Sequence, residues 1–172
     1  MKRTRLAPAV LALCVLSLAP GIARALPNFS GTWQVDKSQS TVHSERPMAS
    51  LVTQVSLTMV IDHRDPEVKI EQRGSLGITG RTVVTIYYTD GREASNRAGR
   101  GEVMTSRSHW ENGTLVTDAR IVRGEGAARQ AVTRRDVMSL AEDGKSLVLE
   151  STRKVEGEDK VDSSRFVFLK QK

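Results

Sequence analysis

The sequence holds a single cysteine among its 172 residues, Cys14, which lies in an apolar stretch near the start of the chain. A lipoprotein site would require a small residue before this cysteine, but Leu13 stands there. We therefore expect Cys14 to leave with a cleaved leader, so that the remaining chain forms neither a disulfide nor a cysteine metal site. Such a chain needs a hydrophobic core of its own, and about 145 residues are enough to build one.

Histidine is also scarce, since His43, His63 and His109 are the only three in the sequence. They fall in a predicted loop, a predicted turn and a predicted strand. Three histidines from separate elements can bind zinc, but these show no short ligand spacing, and we interpret them as unrelated. The sequence has no Gly-x-Ser-x-Gly elbow for a nucleophilic serine, and no glycine-rich loop before a helix. It therefore predicts no metal, no cofactor and no catalytic residue.

The formal net charge of +6 exaggerates the basic character of the folded part of the chain. Lys2, Arg3, Arg5 and Arg24 lie in the first 25 residues, which contain no acidic residue, so the formal charge of the rest is +2. Aromatic residues make up only 4% of the chain, and neither an aromatic-basic RNA motif nor a recognition-helix pattern is present. These features argue against a nucleic-acid partner.

Residues 1–25 have the order of a secretory signal peptide. A basic start precedes the apolar run Leu6–Leu18, and Pro20-Gly21 follows the end of that run. Ala23-Arg24-Ala25 then supplies small residues for cleavage. A membrane anchor is the alternative, but the run is shorter than the ~20 residues of a spanning helix. We expect cleavage near Ala25, a single domain over residues 26–172 with no transmembrane segment, and a periplasmic or secreted protein.

Beyond the leader, the chain alternates apolar and polar residues with a period of two. Leu51–Ile61 and the very β-prone Arg81–Tyr88 are examples, and no segment of useful length has a helical period. We count about eight to nine strands joined by short turns, which predicts an all-β barrel or sandwich. Consecutive hairpins favour an antiparallel up-and-down barrel, because closure removes exposed strand edges.

Turn chemistry separates two kinds of connection in this predicted barrel. Tight hairpins are predicted at Asp90-Gly91, Asn112-Gly113 and Asp143-Gly144. Two longer polar segments, Lys37–Ala49 and Asn96–Gly101, are predicted to be loops of the kind found at a binding mouth.

The stretch Phe29-Ser30-Gly31-Thr32-Trp33 resembles the Gly-x-Trp opening of the calycins, and more closely that of bacterial secreted lipocalin-like domains. Lys37-Ser38, Trp110–Val116 and Asp143–Val148 extend the resemblance, which covers roughly residues 28 to 169. The resemblance implies a closed antiparallel lipocalin-like barrel and does not imply one activity. It also implies that Trp33, beside Gly31, closes one end of the barrel under an arginine of the last strand, for which Arg165 is the candidate and Arg153 the second choice.

A barrel of this size is either filled by side chains or able to hold one small ligand. Arginines can contact a carboxylate or phosphate, and one of two successive tyrosines must face inwards, although the sequence does not say which strand face does so. The candidate ligand contacts are Tyr87, Tyr88, Arg97, Arg100, Arg107 and His109. We expect a non-enzymatic protein that binds a small apolar or amphipathic molecule, including one with an anionic group. The alternatives are an envelope protein with a filled barrel and a protein partner, and an enzyme on the same fold.

Overall fold

The computed structural model describes residues 25–44, 55–76, 79–98, 102–124 and 129–172. Cys14, the predicted signal sequence up to residue 24, and Arg100 lie outside these ranges. The described elements are β1 (Gly31–His43), β2 (Ser56–Arg64), β3 (Glu67–Leu76), β4 (Thr79–Tyr88), β5 (Asp90–Arg97), β6 (Val103–Glu111), β7 (Thr114–Arg123), β8 (Gln130–Leu140), β9 (Ser146–Val155) and β10 (Val161–Lys170). None of the described segments is a helix with the length and apolarity needed to cross a membrane.

The ten strands form one sheet in the order β4-β3-β2-β1-β10-β9-β8-β7-β6-β5. Each strand pairs antiparallel with the next one in sequence, except that β4 does not pair with β5, and β1 pairs antiparallel with β10. The fold is therefore an all-β, antiparallel up-and-down barrel that is nearly closed, as the hairpin pattern predicted. The expected number of eight to nine strands was too low, because the segment between the predicted turn at Asp90-Gly91 and the predicted loop from Asn96 belongs to a strand of its own, β5.

The barrel has a seam between β4 and β5, which stand at opposite ends of the sheet order. Here the Asn96 side chain contacts the Ile86 backbone: Nδ2 donates to the carbonyl oxygen and Oδ1 accepts from the N–H, both at 2.8 Å. The predicted tight hairpin at Asp90-Gly91 is wrong. Both residues lie within β5, and Gly91, at a φ of 83°, sits where the ladder to β6 is irregular. The dipeptide has turn chemistry, but the strands on either side of it, β4 and β5, are not joined by a ladder of backbone hydrogen bonds.

The predicted loop Lys37–Ala49 is also corrected, because β1 continues to His43. Its ladder with β10 is interrupted after Asp36 and resumes at Thr41. Asp36 stabilises the irregular stretch, since its Oδ1 accepts from the Ser38 N–H at 2.9 Å. Residues 45–50 lie outside the described residues, as do residues 99–101 of the second predicted loop, whose first two residues belong to β5.

One end of the barrel is closed by a layer of large apolar side chains. Phe29, Trp33, Leu147 and Phe168 are each 0% exposed, and the Trp33 Nε1 donates to the Phe29 carbonyl at 2.9 Å. The Asn112-Gly113 and Asp143-Gly144 turns adjoin this layer, with positive φ angles at Asn112, Gly113 and Gly144 that suit tight hairpins. This end has little room for a ligand, so any internal site must lie nearer the other end.

The cation over Trp33 is Lys170 and not Arg165. Lys170 is the cross-strand partner of Trp33, and its Nζ lies 5.2 Å from the ring centroid. Arg165 pairs with Thr41, beyond the irregular stretch of β1, and its Nε lies 3.6 Å from Glu150 on the outer surface. Gly31 makes room for the lysine: it has a φ of +142°, and a Cβ there would lie 3.0 Å from Lys170 Cε.

Candidate functional site

Above the closed end, the barrel encloses a cavity of about 370 Å³. This volume is at the lower end of the range for small-molecule pockets, which runs from about 300 to 1,000 Å³. The lining is mostly apolar, because the inward residues of the alternating strands are the apolar ones. Its apolar wall includes Leu57, Met59, Leu115, Met138, Leu149 and Phe166.

Four polar side chains converge on this cavity, and we call them the polar cluster: Tyr87, Arg134, Asp136 and Ser151. Arg134 Nη2 donates to the Tyr87 hydroxyl at 3.3 Å, and its Nε lies 3.0 Å from Asp136 Oδ2. Ser151 donates to the other oxygen of Asp136 at 2.6 Å. Asp136 and Ser151 are cross-strand partners on β8 and β9, so the sheet register itself brings the cluster together.

Burial and the neighbouring charges fix the protonation states of this cluster. Burial raises the pKa of the Tyr87 phenol, so the hydroxyl keeps its proton at neutral pH. Burial alone lowers the pKa of the Arg134 guanidinium, but Asp136 and Tyr87 outweigh it and hold that pKa above its ordinary value. The cluster therefore presents to the cavity a neutral Tyr87 phenol and a charged Arg134 guanidinium in contact with Asp136.

A second row of charges crosses the sheet at the level of Arg134. Arg153 is the cross-strand partner of Arg134 on one side and of Asp162 on the other. Asp162 Oδ1 in turn accepts a hydrogen bond of 2.6 Å from Ser44. Because cross-strand partners share one face of a sheet, these side chains lie on the cavity side of β8, β9 and β10.

The two tyrosines proposed from the sequence face opposite ways. Tyr87 lies in the cavity, whereas Tyr88 lies on the outer face, where the guanidinium carbon of Arg92 is 3.7 Å from its ring centroid. The opposite faces follow from the pleat of β4. Which tyrosine turns inwards depends on the direction in which the sheet closes into a barrel. The alternation of residues along β4 does not show that direction.

The other candidates are not all brought together. Arg97 is exposed and lines the cavity near the end of β5. Arg107 faces outwards and lies 3.3 Å from Glu93. His109 also faces outwards, with its Nε2 2.8 Å from Glu111. The inward face of β6 belongs instead to residues such as Met104 and Trp110, so Arg107 and His109 do not reach the cavity.

Trp110 belongs to an aromatic stack at the closed end. The Phe29 ring is stacked on Trp110 and on His63, with centroid distances of 5.6 Å in both cases. His63, predicted as a turn residue, lies within β2 and is only 6% exposed. Its Nδ1 accepts from the Phe29 N–H at 3.2 Å, and burial lowers the pKa of its imidazole.

Sequence reasoning missed Arg134, Asp136 and Ser151. A signal was present, since Arg134 and Asp136 alternate in step with Met138, an apolar residue of the same strand face. Charged residues in phase with a core residue indicate a polar interior, but only if that face is known to be the inner one. Among the described residues, no cluster of three or more histidine or acidic side chains is arranged to hold a metal ion.

Comparison with known proteins identifies the fold and not a family. No protein-family model matches the sequence, and no curated protein matches it. The apo form of lipid binding protein 8 from Caenorhabditis elegans matches with a TM-score of 0.51 at 12% identity, over 83% of this chain and 95% of that one. Human cRBP IV matches with a TM-score of 0.53 at 16% identity, over 84% of this chain and 99% of that one. These likenesses confirm the antiparallel up-and-down barrel fold, while membership of the calycins or of their bacterial secreted lipocalin-like group stays a prediction.

Proposed function

We propose that this protein binds a small apolar or amphipathic molecule inside its barrel, without catalysing a reaction. The observation that carries the proposal is the cavity of about 370 Å³, which has an apolar wall and one polar cluster. An apolar pocket with a few convergent polar groups is the usual form of a small-molecule site. The likeness in fold to lipid binding protein 8 agrees with this proposal.

The cavity favours this function over the two alternatives. A filled barrel that acts only through its outer surface would leave no such space. An enzyme would need a proton-transfer group or a nucleophile that is available to a substrate, but in the polar cluster the Asp136 carboxylate already contacts Arg134 and accepts from the Ser151 hydroxyl. His63, the buried histidine of the described chain, lies in the aromatic stack at the closed end.

We also propose that the protein works in the periplasm or outside the cell. The support is the order of residues 1–25 and the absence of cysteine after Cys14. An exported barrel of this kind would keep a poorly soluble molecule in solution when that molecule is outside a membrane.

Ligand binding can be tested with 1-aminonaphthalene, a small two-ring amine that is uncharged at neutral pH and whose fluorescence emission shifts to shorter wavelength in apolar surroundings. We expect saturable binding to the wild type. Leu149→Trp fills the cavity and should abolish binding, whereas Thr152→Trp, on the outer face of the same strand, should preserve it. Thermal melting would confirm that both variants fold. Absence of saturable binding to the wild type, or equal binding by both variants, would contradict an internal site.

A further inference from the structure

We infer that the molecule held at the polar cluster carries an uncharged, hydrogen-bonding head group, such as an alcohol, ketone or amide, rather than a carboxylate or phosphate. This inference rests on the proposed function, because it names the ligand class of the same cavity. It departs from the sequence-based expectation of an anionic ligand.

The first argument is the charge balance of Arg134. Its guanidinium is already in contact with Asp136, at 3.0 Å, and the two side chains are only 26% and 14% exposed. An anionic head at Arg134 would stand beside the Asp136 carboxylate, where like charges repel more strongly than in water. It would have to displace Asp136 and leave that carboxylate buried without its partner, which is strongly unfavourable.

The second argument is that the surrounding charges are balanced as well. Arg153 stands between Arg134 and Asp162 in the cross-strand row. With Asp136, the four side chains carry a formal charge of zero. Nearer the end of the barrel, Arg123 Nε lies 2.9 Å from Glu102. Arg97, the remaining arginine of the lining, is exposed near the end of β5 and gives the interior one excess formal positive charge there. The side chains in the row of the cluster itself are balanced.

The third argument is the hydrogen-bonding capacity that remains. The Tyr87 oxygen accepts from Arg134 and its O–H can still donate. Asp136 forms an ion pair with Arg134 and accepts from Ser151, and its carboxylate has further lone pairs. A donor and an acceptor side by side match a hydroxyl or a primary amide, which can both give and receive a hydrogen bond.

The cavity also limits the size of the ligand. An atom of a packed ligand occupies on the order of 30 Å³, similar to a liquid water molecule, so a cavity of about 370 Å³ holds roughly a dozen non-hydrogen atoms. From Arg134 to Met138, at the apolar end, β8 advances four residues, or roughly 13 Å. A head group with a tail of about eight to ten carbons fits both limits.

The inference is tested by displacing 1-aminonaphthalene from the wild type with 1-octanol, octanamide and octanoate at neutral pH. The amide and the carboxylate have nearly the same shape, so their comparison isolates the charge. We expect octanol and octanamide to displace the dye at concentrations at least tenfold lower than octanoate does. Equal or better displacement by octanoate would overturn the inference, and so would displacement by none of the three.

A variant distinguishes charge balance from general apolarity. Asp136→Asn leaves Arg134 uncompensated and should improve octanoate binding relative to octanamide by at least tenfold. Glu93→Gln, which removes the exposed partner of Arg107 on the outer face, should leave the ratio unchanged. An unchanged ratio in folded Asp136→Asn would overturn the inference, and if that variant does not fold, the wild-type comparison of octanamide with octanoate decides. Failure of 1-aminonaphthalene itself to bind would instead reject the proposed function.

Discussion

Asn96 uses one side-chain amide to make the two hydrogen bonds that a neighbouring strand would offer to the Ile86 backbone, each 2.8 Å long. The contact crosses the seam between β4 and β5, which the sheet leaves without a ladder. Tyr87 of the polar cluster is the next residue along β4. The seam therefore couples barrel closure to the position of a cavity side chain.

We predict that Asn96→Ala weakens the fold at this seam. Loss of two hydrogen bonds, with the Ile86 backbone left partly buried, should lower the free energy of unfolding by about 1–3 kcal/mol. Urea unfolding measures the loss, and hydrogen exchange should show faster exchange of the Ile86 amide. Ser95→Ala, at an exposed position of the same strand, is the matched control. Wild-type exchange at Ile86 in the Asn96 variant would show that the contact does not hold the seam.

Trp33 is predicted to be the main anchor of the closed end. The side chain is completely buried and contacts the backbone of Phe29 through its indole N–H. Trp33→Ala should lower the free energy of unfolding by about 3–5 kcal/mol, as large cavities in a core do. A melting temperature equal to that of the wild type would contradict this role.

Lys170, and not Arg165, should share in this anchor. Lys170→Ala removes the cation over the Trp33 ring and should cost about 0.5–1 kcal/mol. Arg165→Ala removes an exposed ion pair with Glu150 and an exposed hydrogen bond of 3.3 Å from Nη1 to the Gln39 carbonyl, so its effect should stay below that of Lys170→Ala, within the range of about 0–1 kcal/mol for surface pairs. Chemical unfolding of the two variants, each also combined with Trp33→Phe, compares them. A larger loss in Arg165→Ala than in Lys170→Ala would reverse the assignment.

A tight turn could be predicted from its residues where the two strands that it connects also pair with each other. Asn112-Gly113 joins β6 and β7, which are fully paired, and the prediction is confirmed. Asp90-Gly91 has similar chemistry but lies inside β5, because the flanking strands separate at the seam. Whether β4 and β5 pair depends on the closure of the whole barrel, and the residues around Gly91 do not predict it.

The site could be predicted less well than the fold. Alternation in β4 requires one inward tyrosine, but only the closed barrel shows that it is Tyr87. The arginines in and after Asn96–Gly101 were predicted to contact a ligand because loops often carry ligand contacts. Arg134, the arginine of the polar cluster, lies in the middle of β8, where the sequence does not distinguish it from an exposed residue of an amphipathic strand. Burial of His63 depends on Phe29, a residue 34 positions away in the chain.

Arg107 should have no direct part in ligand binding, in contrast to the sequence-based expectation. Its side chain is on the outer face, near Glu93. We predict that Arg107→Ala changes the dissociation constant for 1-aminonaphthalene by less than twofold, while Arg134→Met, within the cavity, changes it clearly more. Fluorescence titration of both variants gives the comparison. A weakening in Arg107→Ala equal to that in Arg134→Met would place the ligand on the outer surface instead.

The exported form of the protein is predicted to begin near Leu26 and to contain no cysteine. The reason is the Ala23-Arg24-Ala25 sequence, which follows a basic start and an apolar run. Intact-mass measurement of the protein from the cell envelope gives the amino terminus directly. Ala25→Leu should slow or shift cleavage, because the small residue is lost. A mature protein that retains a lipid-modified Cys14 would rule out this processing.

Acid should destabilise the closed end through His63. Burial lowers the pKa of this imidazole in the folded protein, with Asp65, 3.8 Å from Nε2, opposing the effect. The unfolded chain, where the histidine has its ordinary pKa near 6.5, then binds the proton more readily than the folded protein. The contribution of His63 to stability is therefore complete above about pH 6.5 and is lost as the pH falls from there through the lower folded-state pKa.

Protonation of His63 would also remove a specific contact, because Nδ1 could no longer accept from the Phe29 N–H. We expect the free energy of unfolding, measured by urea titration at a series of pH values, to fall more steeply below pH 6.5 in the wild type than in His63→Gln, whose side-chain oxygen remains an acceptor at every pH. His43→Gln, at an exposed position in β1, controls for the loss of a histidine and should keep the wild-type dependence. If His63→Gln loses stability with the same slope, the acid sensitivity of the protein arises elsewhere.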